Sequence, residues 1–203
     1  MLVPKFIKTI ASRVSAQHNS HRPALAGVYI TPTHFEATDS FKAVSIRNKF
    51  SDVDNNEYPS RLKHELTHEN IMISNQDIAM IPFKPNKKYR LLDNRAALVS
   101  TAEASGVAIE VVHANNTKVR ITTATMNSKF PNIKSFIAPY EDRIWYAACW
   151  INAQYMIDVL TVMRDAGYNN VIISLSPNKP VFIEPYDKVT GDDSIGLVMG
   201  LKM

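Results

Sequence analysis

Hydrophobic residues in the C-terminal part of the chain recur first at helical and then at strand spacing. From Asn152 to Gly167 the apolar positions lie three or four residues apart, which predicts an amphipathic helix capped by these two residues. Short apolar segments at 171–175, 181–184 and 195–201 then predict three strands. Because the apolar pattern continues to Met203, we expect this terminal segment to be docked and to form part of a binding surface.

The N-terminal part predicts the same succession of a helix and strands. A helix is predicted over Pro4–Gln17, because Phe6, Ile10 and Val14 fall on one apolar face. A strand at 24–31 and an extended segment at 35–46, interrupted near Asp39, follow it.

The middle of the chain has a weaker pattern. A helix from Asn94 to about Ala104, ended by Gly106, and a hairpin of 107–113 with 118–125 are predicted. The other predicted elements are a loop at 48–59, a helix at 60–69 and strands at 71–74, 78–83, 89–92 and 143–150. A helix followed by a strand meander thus recurs at 4–47, 94–126 and 152–203, with a degenerate copy at 60–92. This repetition predicts an α+β fold.

Composition indicates a folded protein of a reducing compartment. The 203 residues are 45% hydrophobic and 21% charged, enough to bury a core. Cys149 is the one cysteine, so no intramolecular disulfide can form, and its apolar neighbours predict a buried small residue. No apolar stretch has membrane length and the start lacks a signal peptide pattern, so a cytoplasmic protein without membrane association is expected.

Positive charge is concentrated in two places, although the net charge is only +4. The first fifty residues hold seven basic and two acidic side chains. A second basic cluster lies at Lys84, Lys87, Lys88, Arg90 and Arg95. This asymmetry is compatible with a polyanionic partner, and ordinary solvated surface charge is the alternative.

Several segments resemble the bacterial DNA polymerase III β subunit, the sliding clamp that tethers the polymerase to DNA. Arg22–Ile30 (RPALAGVYI), Glu36–Val44 (EATDSFKAV) and Lys129–Ile133 (KFPNI) are similar to the middle domain of that family. Tyr155–Leu160 (YMIDVL) and Leu197–Met203 (LVMGLKM) are similar to its end. The chain departs from the family at Ser40-Phe41-Lys42 and at Gly200, and it is shorter than the three-domain clamps.

The resemblance implies a DNA clamp fold, with strands outside and helices lining a central hole. Residues 1–137 would form a clamp domain like the middle one, with an insertion at about 48–88, and residues 138–203 a partial C-terminal domain. Clamp rings use twelve helices. Three helices in this chain would therefore require a ring of four chains, and a fourth at Ser60–Glu69 would allow a trimer.

The resemblance also implies a non-enzymatic DNA sliding clamp-like processivity factor that needs no cofactor or metal. It would encircle double-stranded DNA and bind a DNA polymerase and a clamp loader through short linear peptides. The predicted DNA contacts are Lys5, Lys8 and Arg13 on the first helix and Arg95 on the second. The predicted peptide pocket comprises Leu25, Thr38, Ser40, Lys42, Pro131, Phe136, Leu197, Met199 and Leu201.

Two other functions compete with this interpretation. A clamp-like adaptor or decoy could bind the same peptides without forming a ring. His64-Glu65-x-x-His68 matches the H-E-x-x-H pattern of zinc metallopeptidases, in which both histidines bind the metal and the glutamate activates water. Glu69 and Asn70, which follow the second histidine, are atypical of those enzymes.

Overall fold

Two antiparallel sheets and a layer of helices make up the described part of the chain. The computed structural model describes residues 2–16, 21–49, 70–83, 95–100, 106–112, 118–124, 126, 129–133, 135, 149–175, 180–187 and 190–200. The helices are α1 (Ile7–Arg13), α2 (Asn75–Met80) and α3 (Ala153–Asp165), and a 3₁₀ turn covers Pro23–Leu25. The strands are β1 (Leu2–Pro4), β2 (Gly27–Ile30), β3 (His34–Thr38), β4 (Lys42–Arg47), β5 (Ile71–Ser74), β6 (Arg95–Ser100), β7 (Gly106–Val112), β8 (Lys118–Ala124), β9 (Val171–Ser174), β10 (Val181–Pro185) and β11 (Ile195–Val198).

The described residues form two structural units, each with one helix and four strands, and part of a third. The first unit is β1-α1-β2-β3-β4, and the second is β5-α2-β6-β7-β8. Each unit gives its first strand to the other, because β1 pairs with β6 and β5 pairs with β2. The third unit, α3-β9-β10-β11, continues the sheet of the first unit through the antiparallel pair β4–β11. The sheets therefore have the orders β1-β6-β7-β8 and β5-β2-β3-β4-β11-β10-β9.

The main core lies between the seven-stranded sheet and the helices. Ile7, Ile10 and Val14 of the first helical region and Val159 and Val162 of α3 are all fully buried. They pack in one cluster with the inward-facing residues Val28, Ile30, Phe35, Val44, Ile46, Ile183 and Val198 of the sheet. The apolar spacing that predicts the helices therefore corresponds to their buried faces.

The end of α3 and its packing against β11 depend on two glycines. Gly167 has a φ of +97°, the left-handed conformation that commonly ends a helix. A Cβ at Gly196 of β11 would collide with the Val159 side chain of α3. The glycine therefore allows the helix to approach the strand closely. At the other end of α3, the Asn152 side chain caps the helix as predicted, accepting from Gln154 N at 2.9 Å.

Two of the predicted elements are wrong. Ile78–Phe83 was expected as a strand, but α2 occupies Asn75–Met80, because Ser74 Oγ caps it by accepting from Asp77 N at 3.1 Å. The helix predicted from Asn94 is also wrong, since Arg95–Ser100 forms β6 between β1 and β7. The second unit therefore begins at β5 rather than at Asn94.

The remaining elements agree with the sequence apart from their ends. The helix predicted over Pro4–Gln17 is shorter, because Leu2–Pro4 joins the sheet as β1. The strand predicted from residue 24 begins at Gly27, after the 3₁₀ turn. The hairpin of β7 and β8 and the three strands after α3 are confirmed. The predicted elements at 48–59, 60–69 and 89–92, and most of that at 143–150, lie outside the described residues.

Candidate functional site

A cavity of about 590 Å³ lies where the first and third units meet. One wall comes from the 3₁₀ turn and the connection between β3 and β4, and another from β11 and the residues after it. The pairing of β4 with β11, in which Ala43 lies opposite Leu197, places these walls side by side. The cavity therefore depends on the junction of the two units.

The cavity brings together every predicted pocket residue that the structure describes. These residues are Leu25, Thr38, Ser40, Lys42, Pro131, Leu197 and Met199. Phe136 and Leu201, the other two predicted members, lie outside the described residues. Segments far apart in the sequence thus meet at one site.

Other lining residues were not predicted. Arg22 and Lys129 add cationic side chains to the wall, and Pro180 adds an apolar one. Phe41 is 55% exposed, and its ring stacks on that of Tyr155 with centroids 5.8 Å apart. Phe41 follows Ser40 close to the predicted interruption of the extended segment 35–46, and no distinctive spacing marks it as a site residue.

Hydrogen bonds within the β3–β4 connection fix the cavity rim. Asp39 Oδ1 accepts from Phe41 N at 2.9 Å and from Lys42 N at 3.0 Å. Thr38 Oγ1 donates to the Lys42 carbonyl at 2.9 Å and accepts from Ser40 N at 3.1 Å. Ser40 has a φ of 80°, and the hydrogen bonds made by the Thr38 and Asp39 side chains hold the turn in this conformation. Phe41 is therefore presented on a well-defined turn.

Apolar residues form the base of the cavity. Ala43, Ile133 and Leu197 line it and belong to a second buried cluster that also contains Phe182 and Ile195. Met199, 46% exposed, donates its backbone N–H to the Phe41 carbonyl at 2.8 Å. The flexible thioether of Met199 can adapt to ligands of different shape. The arrangement suits apolar side chains of an extended ligand.

Lys42 connects the cavity to α3. Its Nζ lies 2.7 Å from Asp158 Oδ2 and 3.5 Å from Asp39 Oδ2, and 4.8 Å from the centroid of the Tyr155 ring. The side chains of Lys42 and Asp158 are only 8% and 7% exposed. The positive charge of Lys42 is therefore paired with carboxylates of the protein itself.

Asp158 also receives hydrogen bonds from two other side chains. Arg13 Nη1 donates to its Oδ1 at 3.2 Å and Gln154 Nε2 donates to the same oxygen at 2.9 Å. Burial by itself would raise the pKa of Asp158, but hydrogen bonds from Lys42, Gln154 and Arg13 outweigh it and leave the pKa below its ordinary value. The carboxylate is thus ionised, and it links α1, α3 and β4.

The predicted DNA contacts have different environments. Lys5 is exposed. Lys8 Nζ donates to the Ala79 carbonyl at 2.8 Å, and burial, then the charge of Lys5, lower the pKa of Lys8. Arg13 is paired with Asp158. Arg95 begins β6 and pairs with Pro4, so its predicted placement on a helix is wrong.

A metal site is not formed by the described residues, which contain no group of three His, Cys, Asp or Glu side chains suited to bind one. His64, Glu65 and His68 lie outside them. Cys149, which was predicted to be buried, is only partly buried and packs against the main core. Within the described part of the chain, no helix has the length and apolar character needed to span a membrane.

The architecture is the α+β fold of bacterial DNA polymerase sliding clamps, which confirms the fold predicted from the sequence. A sliding clamp from Bacillus subtilis is 15% identical, with a TM-score of 0.61, over 100% of this chain and 64% of its own. The β subunit from DNA polymerase of Streptococcus pyogenes is 12% identical, with a TM-score of 0.63, over 100% and 66%. A sliding clamp from Pseudomonas aeruginosa bound to griselimycin is 15% identical, with a TM-score of 0.60, over 100% and 65%.

The likeness at these identities establishes the fold. The chain spans 64% to 66% of the length of these three clamps. No protein-family model matches the sequence. The search of curated proteins found no match either.

Proposed function

We propose that this chain is a non-enzymatic, sliding clamp-like processivity factor that encircles DNA and tethers a polymerase through the cavity. The observation that carries the proposal is the cavity itself, in which the described members of the predicted pocket line one surface. The clamp fold of the chain supports the same function.

The occupant of the cavity is proposed to be a short linear peptide of a polymerase or clamp loader. Leu25, Leu197 and Met199 provide an apolar surface for its large side chains. Arg22 and Lys129, both exposed, would favour an acidic residue at the edge of the peptide. We therefore expect apolar anchors to supply affinity, with a neighbouring carboxylate setting orientation.

Fluorescence titration with a short labelled peptide tests the pocket. The probe carries two adjacent large apolar residues and one aspartate on a glycine–serine background, and griselimycin serves as a second probe because it is bound to a fold neighbour. Met199→Asp should reduce binding at least tenfold. Tyr186→Asp, at a residue that is 66% exposed and is not among those lining the cavity, is the matched control. Equal binding by both variants would refute the pocket.

The proposed ring would present its helices to DNA. The described part of the chain has three α-helices. Three helices in the whole chain would give a twelve-helix ring of four chains, and a fourth at 60–69, outside the described residues, would give a ring of three. Lys5 is exposed in the turn before α1, whereas Lys8 donates to the Ala79 carbonyl and Arg13 pairs with Asp158. Mobile cations that contact phosphates without reading bases suit a sliding tether.

Topology distinguishes a ring from the adaptor alternative. The protein is loaded on nicked circular DNA with a clamp loader, and the fraction retained on a sizing column is measured before and after the DNA is linearised. A ring should leave the linear ends, whereas a protein bound only by charge is retained equally on both forms. Equal retention together with intact peptide binding would favour the non-ring adaptor.

A further inference from the structure

Two methionine side chains of the described residues are exposed to solvent. Four other described methionines are buried or partly buried: Met72, Met126, Met156 and Met163. Met80 and Met199, in contrast, are 57% and 46% exposed. Because an oxidant acts on the thioethers that it can reach, these two are the most accessible of the described methionines to a dissolved peroxide.

Met199 and Met80 differ in their surroundings. Met199 lines the cavity, and the apolar residues Leu25 and Leu197 belong to the same lining. Met80 is the last residue of α2 and is not among the residues that line the cavity. The described part of the chain therefore has one exposed thioether at the candidate site and a second one that serves as an internal reference.

Backbone contacts hold the base of the Met199 side chain at the cavity wall. Met199 N donates to the Phe41 carbonyl at 2.8 Å, and the adjacent Gly200 forms an antiparallel bridge with Ile151. The thioether extends from this fixed backbone. A chemical change at its sulfur is therefore made directly at the surface that an apolar ligand of the cavity would cover.

Oxidation by a hydroperoxide changes a methionine side chain in a defined way. The sulfur lone pair attacks one oxygen of hydrogen peroxide, so that an S–O bond forms while the O–O bond breaks. The departing hydroxide takes the proton of the transferred hydroxyl group and leaves as water. Sulfur loses two electrons and the peroxide gains them. The product is methionine sulfoxide, which thiol-dependent reductases convert back to methionine.

We propose that Met199 is a modification site, at which reversible oxidation to the sulfoxide weakens the binding of apolar ligands in the cavity. The sulfoxide oxygen is a polar hydrogen-bond acceptor in a wall shared with Leu25 and Leu197. An apolar side chain that covers this oxygen removes its water without supplying a donor. The inference rests on the proposed function for the identity of the ligand, a short peptide, and adds a redox signal that controls its release.

Peroxide treatment of the full chain tests the site. The natural protein is exposed to hydrogen peroxide for increasing times, quenched with catalase, and treated with dithiothreitol to reverse oxidation of Cys149. It is then titrated with the labelled peptide probe, while mass spectrometry of proteolytic fragments measures the sulfoxide at each methionine. Met80 and Met199 should oxidise at least tenfold faster than the buried Met163. Peptide affinity should fall at least tenfold as Met199 is oxidised, and methionine sulfoxide reductase with dithiothreitol should restore it.

Met199→Leu and Met80→Leu form a matched pair of variants. Leucine replaces the thioether by an apolar side chain of similar size that peroxide does not oxidise. Each variant is compared with itself before and after peroxide, so an effect of the substitution on the starting affinity does not enter the comparison. The affinity of Met199→Leu should stay within twofold of its starting value, whereas Met80→Leu should lose affinity as the natural protein does.

Several results would overturn the inference. These are oxidation of Met199 no faster than that of Met163, an unchanged affinity after full conversion of Met199 to the sulfoxide, a loss of affinity that persists in Met199→Leu, and a loss accompanied by a changed circular dichroism spectrum. Binding by the untreated protein is measured first and tests the proposed function by itself, so its absence would refute both. Binding that survives oxidation of Met199 would refute the switch and leave the proposed function intact.

Discussion

Lys42 Nζ lies 2.7 Å from Asp158 Oδ2, and this buried ion pair joins the cavity wall of the first unit to the helix α3 of the third. The two residues are separated by 116 positions in sequence. A charge removed from water is stable only while its partner remains. The pair therefore helps to hold the two sides of the cavity in register.

Asp158→Asn should lower the free energy of unfolding by about 3 kcal/mol, because it leaves the Lys42 ammonium buried without its counter-charge. Urea unfolding at neutral pH measures the change. Asp165→Asn is the control, since Asp165 lies on the same helix with a side chain that is 31% exposed and should cost less than about 1 kcal/mol. The double variant Lys42→Met with Asp158→Leu should be more stable than Asp158→Asn alone. Equal losses for Asp158→Asn and Asp165→Asn would contradict this role for the pair.

Acid should destabilise the protein partly through the same carboxylate. The pKa of Asp158 in the folded state is below its ordinary value of 3.8, so its contribution is fully present above pH 3.8 and is lost as the pH falls through the folded-state pKa. Asp192, which accepts hydrogen bonds from Tyr168 and Ser194, also has a lowered pKa and acts in the same direction. The urea midpoint of the natural protein should therefore fall steeply below about pH 4, and Asp158→Asn should show a shallower decline. Parallel curves for the two proteins would exclude a contribution from Asp158.

The first and third units could largely be predicted from sequence, because their apolar spacing and capping residues favour the same helices and strands that the packing of the core stabilises. Asn152 and Gly167 mark the ends of α3, and the apolar face between them is the face that the sheet buries. Agreement between local preference and global packing is what makes such elements predictable. The grouping of Leu25 with Leu197 could not come from periodicity, and the family resemblance supplied it.

In the second unit, β5 and the β7–β8 hairpin agree with the prediction, but two other elements do not, because tertiary packing or a helix cap overrides the local preference of their residues. Arg95-Ala-Ala-Leu98 has strong helix formers, but β1 and β7 on either side hold these residues in a strand. Ile78–Phe83 has the composition of a strand, but a cap at Ser74 starts a helix first. Phe41 was missed at the cavity because an exposed aromatic residue in a turn has no distinctive spacing. Neighbouring strands therefore determine the conformation of β6, and a helix cap determines that of α2.

Phe41→Ala should weaken peptide binding about thirtyfold, or roughly 2 kcal/mol, because it removes an exposed aromatic surface at the cavity rim. The stability of the protein should change little, since the Phe41 side chain is 55% exposed and the turn is held by Asp39 and Thr38. Calorimetric titration with the peptide probe measures the affinity. Tyr186→Ala removes an aromatic residue of similar exposure that is not among those lining the cavity, and its affinity should remain within twofold of the natural protein. An unchanged affinity for Phe41→Ala would place the peptide elsewhere.

Gly196→Ala should destabilise the protein by about 2 kcal/mol, because the added Cβ collides with Val159 of α3. Combining it with Val159→Ala should cost less than the sum of the two single changes, since the smaller side chain makes room for the methyl group. Gly167→Ala is a useful contrast, because its added Cβ would meet nothing within 4 Å and would introduce only the strain of a positive φ. Thermal unfolding of the four variants separates steric overlap from backbone strain. Strict additivity of Gly196→Ala and Val159→Ala would show that the close approach of α3 to β11 does not set the cost.

Lys5→Glu should shorten the residence of the loaded protein on nicked circular DNA by reversing an exposed charge beside α1. Lys5 is a cleaner choice than Arg13, whose reversal would also disturb the Asp158 network. The effect should decrease as salt is raised, because screening weakens contacts between exposed charges and phosphates. Lys129→Glu makes the same charge change at the cavity and should leave residence unaltered when no peptide partner is present. If both variants dissociate at the natural rate at low salt, the first helix does not face DNA, and the proposed inner surface must lie elsewhere on the ring.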